Sequence, residues 1–231
     1  MPEPEVWYIL RSLAGGATAL RSKGLYHGDI QPRHLLVNPE GGVKLIEAPL
    51  INQYFTGYNR MAFEADYHAA LSPEQLEVLR LQRPDVKKGY SQSDEVYSIG
   101  ITALSSATNL PITAFYDYNT FQINQQKINT ALQSMKQHGY SDELINTVAS
   151  MLERDADQRA TLDQINGVAN SPHEVVTEYQ VDNNLAPNNQ AQLVSYKLVE
   201  FCVDCLNRLP VVRTSECPRL LLDSATLTSA V

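Results

Sequence analysis

Apolar residues recur at helical spacing from the start of the chain. Val6, Ile9, Leu10, Leu13, Ala17 and Leu20 share one face of residues 4–21, which predicts an amphipathic helix. Gly15 and Gly16 weaken its middle by roughly 1 kcal/mol each relative to alanine. The period then shortens. Leu35-Leu36-Val37 and Val43-Lys44-Leu45-Ile46 flank the turn Asn38-Pro39-Glu40-Gly41-Gly42. Two apolar, partly β-branched runs around proline and paired glycine predict a hairpin. Residues 51–70 are tyrosine-rich and follow no clear period. Ser72-Pro73-Glu74-Gln75-Leu76 has the form of a helix start, with serine as cap, proline in the first turn and an acid near the positive dipole end.

Residues 93–108 carry Val96, Tyr97, Ile99, Ile101 and Leu104 with small residues between them. A helix apolar on most of its sides belongs at the centre of a core. Further helical stretches follow over residues 121–135 and 142–153, separated at Gly139. Residues 171–192 are polar, rich in Asn and Gln, and contain Pro172 and Pro187, which predicts an extended linker. Helical spacing resumes over 191–209 at Leu193, Val194, Leu198, Phe201, Cys202, Cys205 and Leu209, and Pro210 ends it. The final residues hold an apolar patch, Leu220-Leu221-Leu222. No internal repeat is present.

Composition narrows the classes without choosing among them. The 231 residues suffice for one domain with a full core, or one domain plus an extension. A net charge of −8 argues against nucleic acid or an anionic membrane as the main partner. No apolar run reaches membrane-spanning length, and the acidic start MPEPEVWY lacks the form of an export signal. The three cysteines, Cys202, Cys205 and Cys217, lie late, and an odd, clustered count fits reduced thiols in a cytoplasmic setting.

Candidate chemistry gathers at His27-Gly28-Asp29, an imidazole and an acid two residues apart just before the hairpin, and at a second acid, Glu47, just after it. This order resembles the catalytic loop and metal-binding segment of protein kinases, H-R-D-x-x-x-x-N followed by a hairpin and D-F-G. His27 and Asp29 match that pattern. Gly28 stands for the arginine, Gln31 for the usual lysine, His34 for the metal-holding asparagine, and Glu47-Ala48-Pro49 for D-F-G. Three further landmarks come in the family's order. Ser72-Pro73-Glu74 resembles A-P-E, Glu95-Val96-Tyr97-Ser98-Ile99-Gly100 resembles D-V-W-S-x-G, and Met151-Leu152 with Asp155 and Arg159 resembles M-L-x-x-D-x-x-x-R. The resemblance covers residues 4–169. It implies that Arg159 pairs with Glu74, and that Glu95 braces the catalytic loop unless Asp94 reaches in instead. The H-G-D form is also typical of small-molecule kinases resembling aminoglycoside and choline phosphotransferases, but the Ser72-Pro73-Glu74 and Arg159 landmarks are not theirs.

The substitutions bear on activity. Imidazole nitrogen at His34 suits a hard cation poorly, and Glu47 offers oxygen on a longer arm than aspartate, so a magnesium site is not expected. Pro49 replaces a glycine whose freedom lets the metal-binding turn change conformation. Gly28 removes an arginine that in many kinases reads a phosphate on the activation segment. Cys202 and Cys205 share a helix face, but a second pair for a zinc site is missing, and apolar packing is expected instead. Tyr54, Tyr58 and Tyr67 are expected to lie half-buried. No G-x-G-x-x-G or V-A-I-K-like strand lies upstream of the first helix, and the resemblance therefore implies a large lobe standing without the nucleotide-clamping lobe.

The expectation is a mainly α fold: a protein-kinase-like large (C-terminal) lobe over residues 1–170 with a small β-hairpin, a polar linker over 171–192, and a C-terminal helix and tail over 193–231. Its expected function is that of a catalytically inactive, structural or scaffolding subunit of a multi-protein complex. Catalytic-loop positions His27, Asp29 and His34 and metal-segment position Glu47 would be degenerate, Glu74, Arg159 and Glu95 structural, and no cofactor or metal held. Protein partners are expected on the face of the missing lobe and on the C-terminal extension, with no nucleic acid and no membrane. The compartment is cytoplasmic, with cytoskeletal or ciliary assemblies among the candidates. The alternative is a protein kinase completed in trans, or by an amino-terminal lobe that this sequence omits, passing phosphate from ATP to Ser, Thr or Tyr.

Overall fold

The computed structural model describes residues 1–37, 43–45, 54–56, 69–81 and 87–171. Helices dominate. In chain order the elements are α1 (Glu3–Arg21), β1 (Leu35–Val37), β2 (Val43–Leu45), β3 (Tyr54–Thr56), α2 (Pro73–Leu81), β4 (Lys87–Gly89) and α3 (Gln92–Thr108). Then come β5 (Tyr116–Asp117), β6 (Gln122–Ile123), α4 (Gln125–Gln137), α5 (Asp142–Met151) and α6 (Leu162–Ala169). Short 3-10 turns span Pro32–His34 and Ile112–Phe115. The predicted linker from residue 172 onward, the C-terminal helix with its cysteines, and Glu47, Pro49, Tyr58 and Tyr67 lie outside the described residues.

The central helix is α3. Fourteen consecutive residues, Asp94 through Ala107, are buried. Ser91 starts it with a capping box: its hydroxyl accepts from the Asp94 N–H while the Asp94 carboxylate accepts from the Ser91 N–H. Asn109 ends it in the left-handed conformation, which asparagine tolerates. The serine and threonine hydroxyls inside α3 are satisfied locally. Ser98, Thr102 and Ser106 each donate to a carbonyl four residues back, and Ser98 and Thr102 also reach Ala70 O and Ile30 O outside the helix. Gly100 lets α5 approach: a Cβ there would sit 2.9 Å from Met151 Cβ and from Leu152 Cδ2.

Against α3 packs α1, which also lies along α6. Its buried face is Val6, Trp7, Ile9, Leu10, Leu13, Ala14 and Ala17. Gly15 is exposed and Gly16 half-buried, so the pair falls on the polar side where no neighbour is lost. Pro2 precedes the helix and Glu3 and Glu5 occupy its first turn, where acids favour the positive dipole end. Glu3 also accepts from the N–H and hydroxyl of Ser141, tying the start of α1 to the cap of α5.

The predicted hairpin forms as β1 and β2, antiparallel with Leu35 opposite Leu45 and Val37 opposite Val43. Two more antiparallel pairs lay outside the sequence expectation. β3, inside the aperiodic tyrosine-rich segment, pairs with β4, and β5 pairs with β6. The last pair corrects the expected helix over 121–135. Residues 117–120 turn back on Asp117, whose carboxylate accepts from the Asn119 and Thr120 N–H groups, and Phe121 takes a positive φ of 53°. Helix α4 therefore begins only at Gln125, capped by Asn124. Helix α6 is likewise separate from α5, opened by a Thr161–Gln164 capping box. Among the described residues no helix is long and apolar enough to cross a membrane.

Candidate functional site

Residues 22–34 connect α1 to the first hairpin and carry His27-Gly28-Asp29. Leu25 N–H donates back to Leu20 O, and Gly24 takes a positive φ of 70°, which turns the chain off the end of α1. The loop is then held from below by α3. Glu95 Oε1 accepts from the N–H of His27 and, at 3.2 Å, from the N–H of Gly28. Asp94 makes the other connection: Ser72 Oγ donates to it at 2.5 Å, joining the start of α2 to α3. The two acids thus divide the work, Glu95 facing the catalytic loop and Asp94 facing the helix cap and α2. Both are 2% exposed.

Asp29 is buried, with 5% of its surface exposed, and its nearest polar contacts among the described residues come from its own loop. Gln31 Nε2 donates to Oδ1 at 2.5 Å. His34 Nδ1 lies 2.8 Å from the Asp29 carbonyl and 3.4 Å from Oδ2, and Arg33 Nη2 is 3.9 Å from the same oxygen. Asp29 N–H donates to His27 Nδ1 at 3.3 Å. Burial raises the Asp29 carboxyl above the ordinary aspartate range, opposed by His34, Arg33 and the Gln31 hydrogen bond. Burial also pushes Glu95 up to about 7. The Gly28 and His27 N–H groups pull it down, and Asp94 adds to the rise. Gln31 occupies Oδ1, while Oδ2 is buried and takes no hydrogen bond among the described residues.

Gly28 has a positive requirement of its own. Its φ is +78°, a conformation that side chains disfavour, and a Cβ built on it would lie 3.2 Å from the Tyr90 ring. Tyr90 occupies the space beside this position, and burial together with Asp29, Asp94 and Glu95 pushes its hydroxyl up to about 12. Gly28→Arg, which restores the residue expected from the kinase pattern, is therefore expected to destabilise the chain. Roughly 1–3 kcal/mol of strain is anticipated, read as a lower urea midpoint at unchanged slope.

The second cluster is built on Arg159, 4% exposed, in the turn between α5 and α6. Its Nη2 donates to Glu74 Oε1 at 3.0 Å and its Nη1 to Glu74 Oε2 at 3.2 Å, a bidentate pair. The remaining N–H groups donate to the carbonyls of Ser93, Glu153 and Arg154 and to Ser93 Oγ. The guanidinium carbon lies 5.0 Å from the centre of the Tyr97 ring. Glu74 is the second residue of α2, whose cap is reciprocal. Gln75 N–H donates to Ser72 Oγ, and Ser72 N–H donates to Gln75 Oε1. Just before that cap, Tyr116 OH donates to Leu71 O at 2.8 Å and Ser98 Oγ to Ala70 O at 2.6 Å. The signal for these last anchors was weak, because a tyrosine or serine carries no sequence mark of the backbone it will reach.

A model of the protein kinase domain matches residues 1–173, three quarters of the chain. The chain belongs to the protein kinase domain family. Among curated relatives, the membrane-associated tyrosine- and threonine-specific cdc2-inhibitory kinase wee-1.3 of Caenorhabditis elegans is 26% identical over 161 residues, covering 70% of this chain and 22% of that protein. The serine/threonine-protein kinase PknL of Mycobacterium tuberculosis is 31% identical over 106 residues, 44% of this chain and 23% of its own. The chain thus spans less than a quarter of the length of either relative.

Kinase domains of this family use magnesium and ATP, and the residues in place fit the ion poorly. His34, at the position of the metal-holding asparagine, offers nitrogen where magnesium prefers oxygen, and its Nδ1 is already set against the Asp29 carbonyl. Glu47, at the other metal position, lies outside the described residues. Among the described residues no group of three His, Cys, Asp or Glu side chains is placed to hold a metal.

Proposed function

We propose that this kinase-like domain is catalytically inactive and acts as a scaffold, its large-lobe frame serving as a protein-binding component of a cytoplasmic multi-protein assembly. The observation that carries this reading is the closure of the catalytic loop on itself. The Asp29 carboxylate is buried against Gln31 and His34, and the imidazole at the metal position is turned to the same residue. The frame around the loop is complete by contrast, with Glu95 on the loop backbone and Arg159 on Glu74. A loop that keeps its supports while Gln31 takes one oxygen of its acid and His34 is spent on its backbone is suited to holding shape. Net charge of −8 favours protein over nucleic acid as the partner.

Thermal unfolding of the 231-residue chain with and without magnesium-ATP tests the proposal. No shift in midpoint is expected. A rise of several degrees that disappears in Asp29→Asn would overturn it, and would support instead a protein kinase that a further lobe or partner completes. Ligand linkage makes the assay sensitive, because a nucleotide present at 100 times its dissociation constant stabilises by about 2.7 kcal/mol.

A further inference from the structure

Glu95 meets the catalytic loop with one oxygen. Oε1 accepts both loop N–H groups, while Oε2 is buried and takes no hydrogen bond among the described residues. The residue lines a small cavity with Asp29, Gln75, Tyr90, Asp94 and Ser98, and that cavity has no room for a water molecule. The charged and titratable groups around it are mostly acidic. The loop contributes His27 and Asp29, with Arg33 and His34 drawn against Asp29. The segment before α3 contributes Tyr90, and α3 itself contributes Asp94. Helix α2 presents only the neutral Gln75. Arg159, the buried cation beside α3, is committed to Glu74 and the Tyr97 ring. Among the described residues no lysine or arginine is paired with Glu95.

Nothing in this arrangement needs a negative charge on the second oxygen. An unpaired carboxylate oxygen in a dry cavity beside two other acids is costly, and neither a water nor a cation fits there to offset it. A proton does fit. We propose that Glu95 is a proton-binding site that makes the hold on the catalytic loop depend on pH, the native structure being built for the carboxylic acid. The proton sits on Oε2, Oε1 goes on accepting from His27 and Gly28, and ionisation loosens the loop. This device belongs to the frame and is independent of whether the domain transfers phosphate.

The direction of the effect follows from linkage. Burial lifts Glu95 from an ordinary 4.5 to about 7 in the folded chain. The folded state therefore binds this proton more tightly than the unfolded state. The stabilisation is fully present below about 4.5 and is lost as pH rises through about 7. Glu95→Gln keeps an oxygen for the two loop N–H groups and removes the titration.

The test is urea unfolding of the 231-residue chain and of Glu95→Gln across a pH series. Between about pH 5 and about pH 8 the unfolding equilibrium constant of the wild type is expected to rise on the order of 50- to 100-fold more than that of the variant. Parallel profiles would overturn the proposal. Should the variant fail to fold, infrared spectra of the wild type decide. The carbonyl stretch of a buried carboxylic acid at about pH 6 that is absent at about pH 9 and persists in Asp29→Asn supports the proton site, and no such band, or one lost in Asp29→Asn, overturns it.

Discussion

Arg159→Ala is expected to destabilise the chain by about 3–5 kcal/mol, the range for removing the buried member of a hydrogen-bonded ion pair, here a fully buried guanidinium on a part-exposed Glu74. The loss has several parts. Glu74 is left without its cation, the carbonyls of Ser93, Glu153 and Arg154 lose a donor, and the Tyr97 face loses the guanidinium above it. Lysine is a poor substitute, because an ammonium cannot span a carboxylate and three carbonyls in one plane. Removing both charges tells the two contributions apart. Glu74→Leu with Arg159→Met is expected to recover only the part of the loss due to the lone, part-exposed carboxylate, since the three carbonyls stay without their donor. Urea midpoints of the single and double variants supply the measurement. A loss below about 1 kcal/mol for Arg159→Ala would mean that α2 is not held to the helical body through this residue.

Trp7→Ala carries the other large effect, again about 3–5 kcal/mol. Trp7 is fully buried on α1, the helix that packs on both α3 and α6, and its indole N–H donates to Glu3 Oε1 at 3.0 Å. Truncation leaves a void the size of an indole between helices whose backbones are fixed by other contacts. Trp7→Phe retains most of the ring and loses the hydrogen bond, so about 1–2 kcal/mol is expected. Since α1 leads directly into the loop of His27 and Asp29, amide exchange at Leu25 to Ile30 should rise with the alanine variant more than exchange in α4. Equal acceleration in both places would show one global opening and no local route from α1 to the loop.

Several elements are plain in the sequence. The spacing of Val6, Ile9, Leu10 and Leu13 marks α1, and the near-continuous apolar and small residues of 93–108 mark a buried central helix, now seen as α3. Periodicity works at these places because burial on one face, or on all faces, has to be written in the side chains themselves. It fails over 121–135. There Phe121 and Ile128 keep helical spacing, yet Asp117 closes a turn and Asn124 is a better cap than a helix interior residue. β3 and β4 were equally hidden, since a strand of three residues has too few positions to show alternation.

At the site, the ordered landmarks were legible and their contacts were not. Asp94 and Glu95 are adjacent acids, and composition cannot say which one turns toward the loop. Helix phase decides it. The capping box of α3 commits Asp94 to Ser91 and Ser72, and the next residue, about 100° around the helix, faces His27 and Gly28. The same holds for Gly28. Its difference from the kinase pattern reads in sequence as a missing arginine, whereas the fold shows a left-handed residue pressed against Tyr90, sixty-two positions away.

Local patterning in this chain determined which segments are helical, where several of them are capped, and that its landmarks follow the protein kinase order. Those properties depend on neighbours within a turn or two, and neighbours in sequence report them. Tertiary structure alone decided that the Asp29 carboxylate lies against Gln31 and His34, that one oxygen of Glu95 takes no hydrogen bond among the described residues, and that Arg159 gathers three carbonyls around its ion pair. Each of these is a matter of solvent exclusion and of groups brought together from distant parts of the chain, and that information exists only once the chain has folded.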